Sequence, residues 1–223
     1  MQKIIIALDG YSGTGKSSTA KMVSQVLDYT YIDSGAMYRA ITFYFLKEKI
    51  DITDSERVKD SLALCEVRFN KNGILLNGSN IEDEIRSMEV NQFVSNVSAV
   101  SLVRKKLVEQ QREMSRGMGI IMDGRDIGTV VFPKAELKLF MIAEMDVRVE
   151  RRKKQLAKKG IIESEEVIRH NLLTRDHIDT TRKDSPLKQA KEAVVIDTSH
   201  LTLDYQVEKI VNLANRMIHE NRD

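Results

Sequence analysis

The chain has 223 residues, enough for one large domain or a core carrying a modest insertion, and too few for two full domains. At 42% hydrophobic and 30% charged it is globular in composition and long enough to bury a sizeable core, which excludes a disordered chain. A net charge of +2 argues against a long electrostatic grip on nucleic acid, and the single cysteine, Cys65, excludes an internal disulfide framework and fits a reducing, cytoplasmic compartment.

Residues 3–8 are a short continuous apolar run, the pattern of a strand buried on both faces of a parallel sheet. The run is too short for a secretory signal and ends at Asp9. Nothing in the chain approaches the ~18 apolar residues that span a bilayer, so no membrane partner is expected. A helical pattern over 16–27 follows, then a strand over 29–32 and a helix over 36–47. Further on, 120–122 and 137–142 read as buried strands, and Asp146 is placed to cap a helix running to about 159. A last strand is expected at 194–196 and a closing helix at 203–218. Strands alternating with helices predict an α/β fold with a parallel sheet.

One stretch departs from this alternation. Residues 67–69 and 74–76, separated by Asn70-Lys-Asn-Gly73, read as a β-hairpin, and helical patterns cover 88–116. These define an α+β insertion over 62–117, leaving 1–61 and 118–223 as the core.

Gly10-Tyr11-Ser12-Gly13-Thr14-Gly15-Lys16-Ser17 matches the phosphate-binding P-loop pattern, and it lies where the mechanism needs it, between a buried strand and a helix. Glycines let successive backbone N–H groups converge on an anion, and the helix N-terminus adds its positive dipole end. Lys16 is then placed for the β- and γ-phosphates and the Ser17 hydroxyl for Mg²⁺. The motif alone does not distinguish a kinase from a motor or a sensor, but no Asn-Lys-x-Asp guanine reader is present.

Three other segments carry charge where a second phosphate could lie. Asp33-Ser34-Gly-Ala-Met-Tyr-Arg39 places Arg39 one turn inside a helix, able to fork onto a phosphate. Asp123-Gly-Arg125-Asp126-Ile-Gly-Thr follows an apolar strand, at the edge where open α/β sheets bind ligands. Asp123 there occupies a Walker-B-like position, an outer-shell Mg²⁺ partner, and Asp33 is a second candidate for that shell. Arg125 and Asp126 also read as an ordinary surface ion pair. Arg175, Asp179 and Arg182, spaced i, i+4, i+7, fall on one face of a helix, where intrahelical pairing alone accounts for two of them.

Gly10–Ser18, the segment 33–39, Glu84-Ile-Arg86, Asp123-Gly-Arg-Asp-Ile-Gly-Thr-Val-Val-Phe-Pro133 and Arg175-Asp176…Asp179…Arg182…Ser185-Pro-Leu187 together resemble the bacterial cytidylate kinases, in order over about residues 4–220. The resemblance implies a P-loop nucleoside monophosphate kinase core, a nucleotide-binding insertion, a short lid over 148–175, and transfer of the ATP γ-phosphate to CMP or dCMP with Mg²⁺. It implies that Gly10–Ser18 hold ATP, and that Ser95, Arg104 and Asp126 read the cytosine. A carboxylate suits the N4 amino donor, and a guanidinium suits the N3 and O2 acceptors. Ser34, Arg39 and Arg125 would hold the acceptor phosphate, Arg175 and Asp179 the sugar, and Arg182 the base or phosphate. Lys16, Arg125, Arg175 and Arg182 would be the catalytic set. Ser17-Ser18 closes the loop where some relatives have glycine first, which favours direct metal coordination by Ser17. Nine residues separate Ser95 from Arg104, so on one unbroken helix they would point about 180° apart; a break near 98–101 is therefore expected, with Ser101 as the next N-cap.

Arg148, Arg151, Arg152, Lys153, Lys154, Lys158 and Lys159 crowd one helix. This run reads as a solvated basic face, as a lid in which Arg151 and Arg152 reach ATP, or as a nucleic-acid patch, which the lack of interleaved aromatics disfavours. Cys65 reads as core, the four histidines lack metal spacing, and a monomer is expected. Two other readings remain: a P-loop kinase for another small acceptor, and a non-catalytic nucleotide sensor or nucleic-acid-binding module built on the P-loop.

Overall fold

The computed structural model describes residues 3–70, 73–115 and 119–220. In chain order its elements are β1 (Ile5–Gly10), α1 (Lys16–Leu27), β2 (Thr30–Asp33), α2 (Ser34–Lys47), α3 (Ser55–Ala63), β3 (Val67–Asn70), β4 (Gly73–Leu76), β5 (Ser79–Asn80), a 3₁₀ turn (Glu84–Arg86), α4 (Met88–Ser98) and α5 (Ser101–Met114). There follow β6 (Ile120–Gly124), a π-helical turn (Ile127–Val131), β7 (Leu137–Ile142), α6 (Met145–Ala157), α7 (Glu165–Thr181), β8 (Val194–Asp197) and α8 (Leu203–Glu220). They form two compact units, Met1–Ile32 with Ser115–Asp223, and Asp33–Met114.

The first unit is built on a five-stranded sheet in the order β2-β6-β1-β7-β8. β1 is the centre because an unbroken apolar run is stable only where both faces are covered. It runs parallel to β6, with Asp9 opposite Gly124, and to β7, with Gly10 opposite Met141. Ile6, Leu8, Ile121, Leu139 and Met141 from the sheet pack with Val23 of α1 and Ile210 of α8 in one core. Parallel strands end on the same side, so the loops after β1, β6 and β7 share one edge. A smaller cluster, Val149, Ile168 and Leu172, joins α6 to α7.

The second unit packs α2, α3, α4 and α5 with a three-stranded antiparallel sheet β3-β4-β5. The expected hairpin forms, with Phe69 opposite Ile74; Lys71 and Asn72 of its turn lie outside the described residues. The expected boundary at 62 is corrected to Asp33, because α2 packs with α4, α5, β4 and the 3₁₀ turn. The far boundary falls at Met114, and Arg116 and Gly117 lie outside the described residues. Helix α3 carries no sequence expectation: it buries little beyond Val58, Ser61 and Leu62, and its start is fixed by Asp54 accepting from the Arg57 N–H at 3.0 Å.

The helix break appears as expected, with α4 ending at Ser98 and α5 beginning at Ser101, but Ser101 is the first helical residue rather than the one before it. Asp146 does not cap α6: Glu144 occupies that position, and Asp146 accepts from Arg169 at 2.6 Å. Arg182 leaves the helical face expected for it; it is the C-cap of α7 with ψ 145°. Cys65 is buried, and burial pushes its thiol up to about 11. No helix among the described residues is long and apolar enough to cross a membrane.

Candidate active site

Between β1 and α1 the chain turns through left-handed backbone at Gly13 (φ 78°) and Gly15 (φ 96°), which glycine adopts without a Cβ penalty. The loop wraps Lys16, whose Nζ donates to the Tyr11 carbonyl at 2.6 Å and to Thr14 Oγ1 at 3.5 Å. Burial, with the Arg125 guanidinium acting in the same direction, lowers the Lys16 ammonium to about 7. Ser17 and Ser18 are exposed at the start of α1. Ser17 Oγ donates to Asp123 Oδ2 at 2.7 Å, and the Tyr31 hydroxyl donates to Asp123 Oδ1 at 2.8 Å. Asp123, near the end of β6, thus contacts the first serine of α1.

Helices α6 and α7 hold the same loop. Asp176 accepts from the Ser12 N–H at 3.1 Å and pairs with Arg148, which donates to the Ser12 carbonyl at 3.1 Å and lies over the Tyr11 ring at 5.6 Å. Arg151 donates to Thr14 O at 3.2 Å and to Thr198 Oγ1 at 2.9 Å. Two members of the basic run therefore brace the P-loop, whereas Arg152 donates to Gln155 Oε1 at 2.7 Å. Asp176 lies in the segment beginning at Arg175 without a role assigned to it, Thr198 carries no motif, and the fold brings both to the loop.

A second cluster joins the end of β6 to the end of α7. Arg125 donates from Nε to Asp179 Oδ2 at 2.8 Å and from Nη2 to Ser12 Oγ at 2.8 Å. Arg182 donates from Nη1 to Asp179 Oδ1 at 3.0 Å and stands 3.8 Å from Asp126 Oδ1. Burial alone would push Asp179 up, but Arg125 and Arg182 hold its carboxyl below the usual range. Arg175 is half-buried and adds to that effect. The pairs Arg125/Asp126 and Asp179/Arg182, more than fifty residues apart, thus form one largely buried network that touches the P-loop through Ser12.

In the second unit, Asp33 caps α2 by accepting from the Ala36 N–H at 2.8 Å, and its other oxygen accepts from Arg39 Nη2 at 2.9 Å. Both Asp33 oxygens are thus engaged within α2, as both Asp123 oxygens are by Ser17 and Tyr31. Ser34 is buried at the first position of α2. Ser95 is buried on α4, and Ser98 Oγ donates to its carbonyl at 2.9 Å. Arg104 Nη1 donates to the Ser98 carbonyl at 3.1 Å, at the negative dipole end of α4, and the guanidinium lies 5.3 Å from the centre of the Tyr38 ring. The break at 99–100 brings Arg104 of α5 back to the end of α4, within one turn of Ser95. Tyr38 and Ser98 are supports that sequence reasoning missed; the aromatic ring one position before Arg39 was the available signal.

The likeness to known proteins is extensive. Residues 6–216 match the family model described as cytidylate kinase. A cytidylate kinase of Cytophaga hutchinsonii is 48% identical, over 96% of this chain and 94% of its own. That of Flavobacterium johnsoniae is 46% identical over 98% and 99%, and that of Parabacteroides distasonis 49% over 92% and 94%. Among solved structures, an uncharacterized protein from Eubacterium ventriosum has a TM-score of 0.55 at 11% identity, covering 96% of this chain and 99% of that one. The last likeness is one of fold alone. Taken with the P-loop and the arginine–carboxylate network beside it, the match along nearly the whole sequence shows that this chain belongs to the cytidylate kinase family.

Proposed function

We propose that the chain transfers the γ-phosphoryl group of ATP to CMP or dCMP, giving ADP and CDP or dCDP. The observation that carries this reading is the bond from Arg125 Nη2 to Ser12 Oγ, which sets a buried guanidinium network directly beside the P-loop. One anion site is made of backbone amides and Lys16, and the adjoining one of guanidinium groups. That is what two phosphates meeting in line require. CMP arrives with an ionised phosphate oxygen as nucleophile, so no proton has to be removed and no general base is assigned.

In this reading Gly10–Ser18 hold the donor phosphates, with Arg151 and Arg152 on the ATP side. Ser34, Arg39 and Arg125 hold the acceptor phosphate, Arg175 and Asp179 the sugar, and Arg182 the base or phosphate. Ser95, Arg104 and Asp126 read the cytosine, the carboxylate accepting from the N4 amino group. The adjacent Ser17 hydroxyl and Asp123 carboxylate form an all-oxygen pair that fits Mg²⁺, an ion that takes few protein ligands and keeps several waters. Ser17 would bind it directly and Asp123 through water. Bound there, the ion neutralises charge on the β- and γ-phosphates. One chain supplies the whole residue set, so the reading takes the protein as a monomer, and its single cysteine suits the cytoplasm. The test is ADP release from Mg·ATP with CMP, dCMP, UMP, AMP and GMP as acceptors. CMP and dCMP should be turned over far faster than the rest; equal rates with AMP or GMP would overturn the reading.

A further inference from the structure

Asp9 is an acid at the end of the central strand, following Ile6 and Leu8, and it is only 3% exposed. Burying a carboxylate there is costly, yet no part of the proposed phosphoryl transfer uses it. Its two oxygens have specific employment. Oδ1 accepts from the Ile127 N–H and Oδ2 from the Gly128 N–H, both at 2.8 Å. Those amides open the π-helical turn, and a first turn has no acceptor of its own for them. The carbonyl of Asp126 accepts from Val130 and Val131 at 2.8 and 3.1 Å. The peptide after Asp126 is therefore pinned by Asp9 and its carbonyl by the turn. On the other side, Asp9 and Gly124 are register partners in the sheet. A side chain on the strand that feeds the P-loop thus caps the turn that presents Arg125 and Asp126.

We infer that Asp9 is a positioning residue for pyrimidine recognition, its carboxylate fixing the Arg125–Asp126 turn against the P-loop strand. The inference rests on the reading above in which Asp126 meets the base. Asp9→Asn keeps the shape but replaces one acceptor oxygen with an NH₂ facing an N–H. Gly128→Ala probes the same contact more gently, since its Cβ would stand 3.4 Å from both Asp9 Oδ2 and Lys138 Cγ, at the edge of ordinary contact.

The experiment measures KM for CMP, KM for ATP and the CMP-to-UMP preference in both variants, with melting temperatures to establish that each is folded. Asp9→Asn should raise KM for CMP about tenfold and narrow the preference, short of the ~10²-fold that a misplacement on the order of 1 Å costs. KM for ATP should move less than about twofold, and Gly128→Ala should shift KM for CMP in the same direction by a smaller factor. KM for ATP rising as much as KM for CMP would overturn the inference and make Asp9 a prop of the P-loop. Unchanged CMP kinetics in both folded variants would overturn it outright. Wild-type protein that rejects CMP would instead strike at the proposed function, a result distinguishable from either.

Discussion

In the unit that carries the P-loop, Arg125, Arg148 and Arg182 each bond to a buried aspartate, and two of the three also reach Ser12 of the loop. In the Asp33–Met114 unit, Arg104 donates to a backbone carbonyl and lies over an aromatic ring. The first arrangement fixes guanidinium groups by charge, the second by a helix terminus and a π face. The difference predicts how each of these two arrangements fails. Removing a carboxylate from the first leaves a cation buried without its partner, while removing the ring from the second forfeits one modest attraction.

The largest effect is expected for Asp176→Ala, which should cost about 3–5 kcal/mol in denaturant unfolding by leaving Arg148 uncompensated. A loss below 1 kcal/mol would show that charge does not brace the loop. Lys16→Ala should lower kcat by ~10³-fold or more while calorimetric CMP binding persists. Arg104→Ala should raise KM for CMP by about 10–100-fold, the worth of hydrogen bonds to a charged group, and relax base choice while leaving KM for ATP nearly unchanged.

The pH dependence of stability isolates Asp9. Burial raises its carboxyl to about 7, against opposing bonds from Gly128 and Ile127, with the charges of Asp126 and Lys16 facing it. A raised carboxyl favours the folded state below the unfolded pKa of 3.8, and that advantage is lost as pH rises through about 7. Between pH 5 and 7, wild type should therefore lose about 2 kcal/mol relative to Asp9→Asn, read as diverging urea midpoints. Parallel curves would place the titration elsewhere. The smallest effect is Tyr38→Leu, which should cost ~1 kcal/mol and raise KM for CMP a few-fold. A larger loss than Arg104→Ala would reverse the assignment of ring and guanidinium.

Much of this was legible in the residues because it is written in local chemistry. The run at 3–8 has one stable fate, and the glycine spacing of 10–15 dictates an anion loop wherever it meets a strand and a helix. The break between α4 and α5 followed from angular arithmetic on Ser95 and Arg104. What could not be read was contact made across the chain. Asp176 stands beside Arg175 in a segment the sequence singles out, but nothing there points to the Ser12 amide, 164 positions away, from which it accepts. Arg182 fits a helical face by spacing, but α7 ends at Thr181, and the Leu187 N–H folds back to the Asp179 carbonyl at 2.7 Å. The role of Asp33 as a helix cap and partner of Arg39 becomes visible only once α2 begins at Ser34.

The entrance to the loop has a consequence for how this chain can vary. A Cβ at position 10 would lie 2.1 Å from the Met141 carbonyl oxygen, a main-chain atom of the neighbouring strand that no rotamer change can move aside. Every codon but glycine is thus closed there by the spacing of two strands, independently of any nucleotide, and a library randomised at that position should return one survivor even when selected for folding alone.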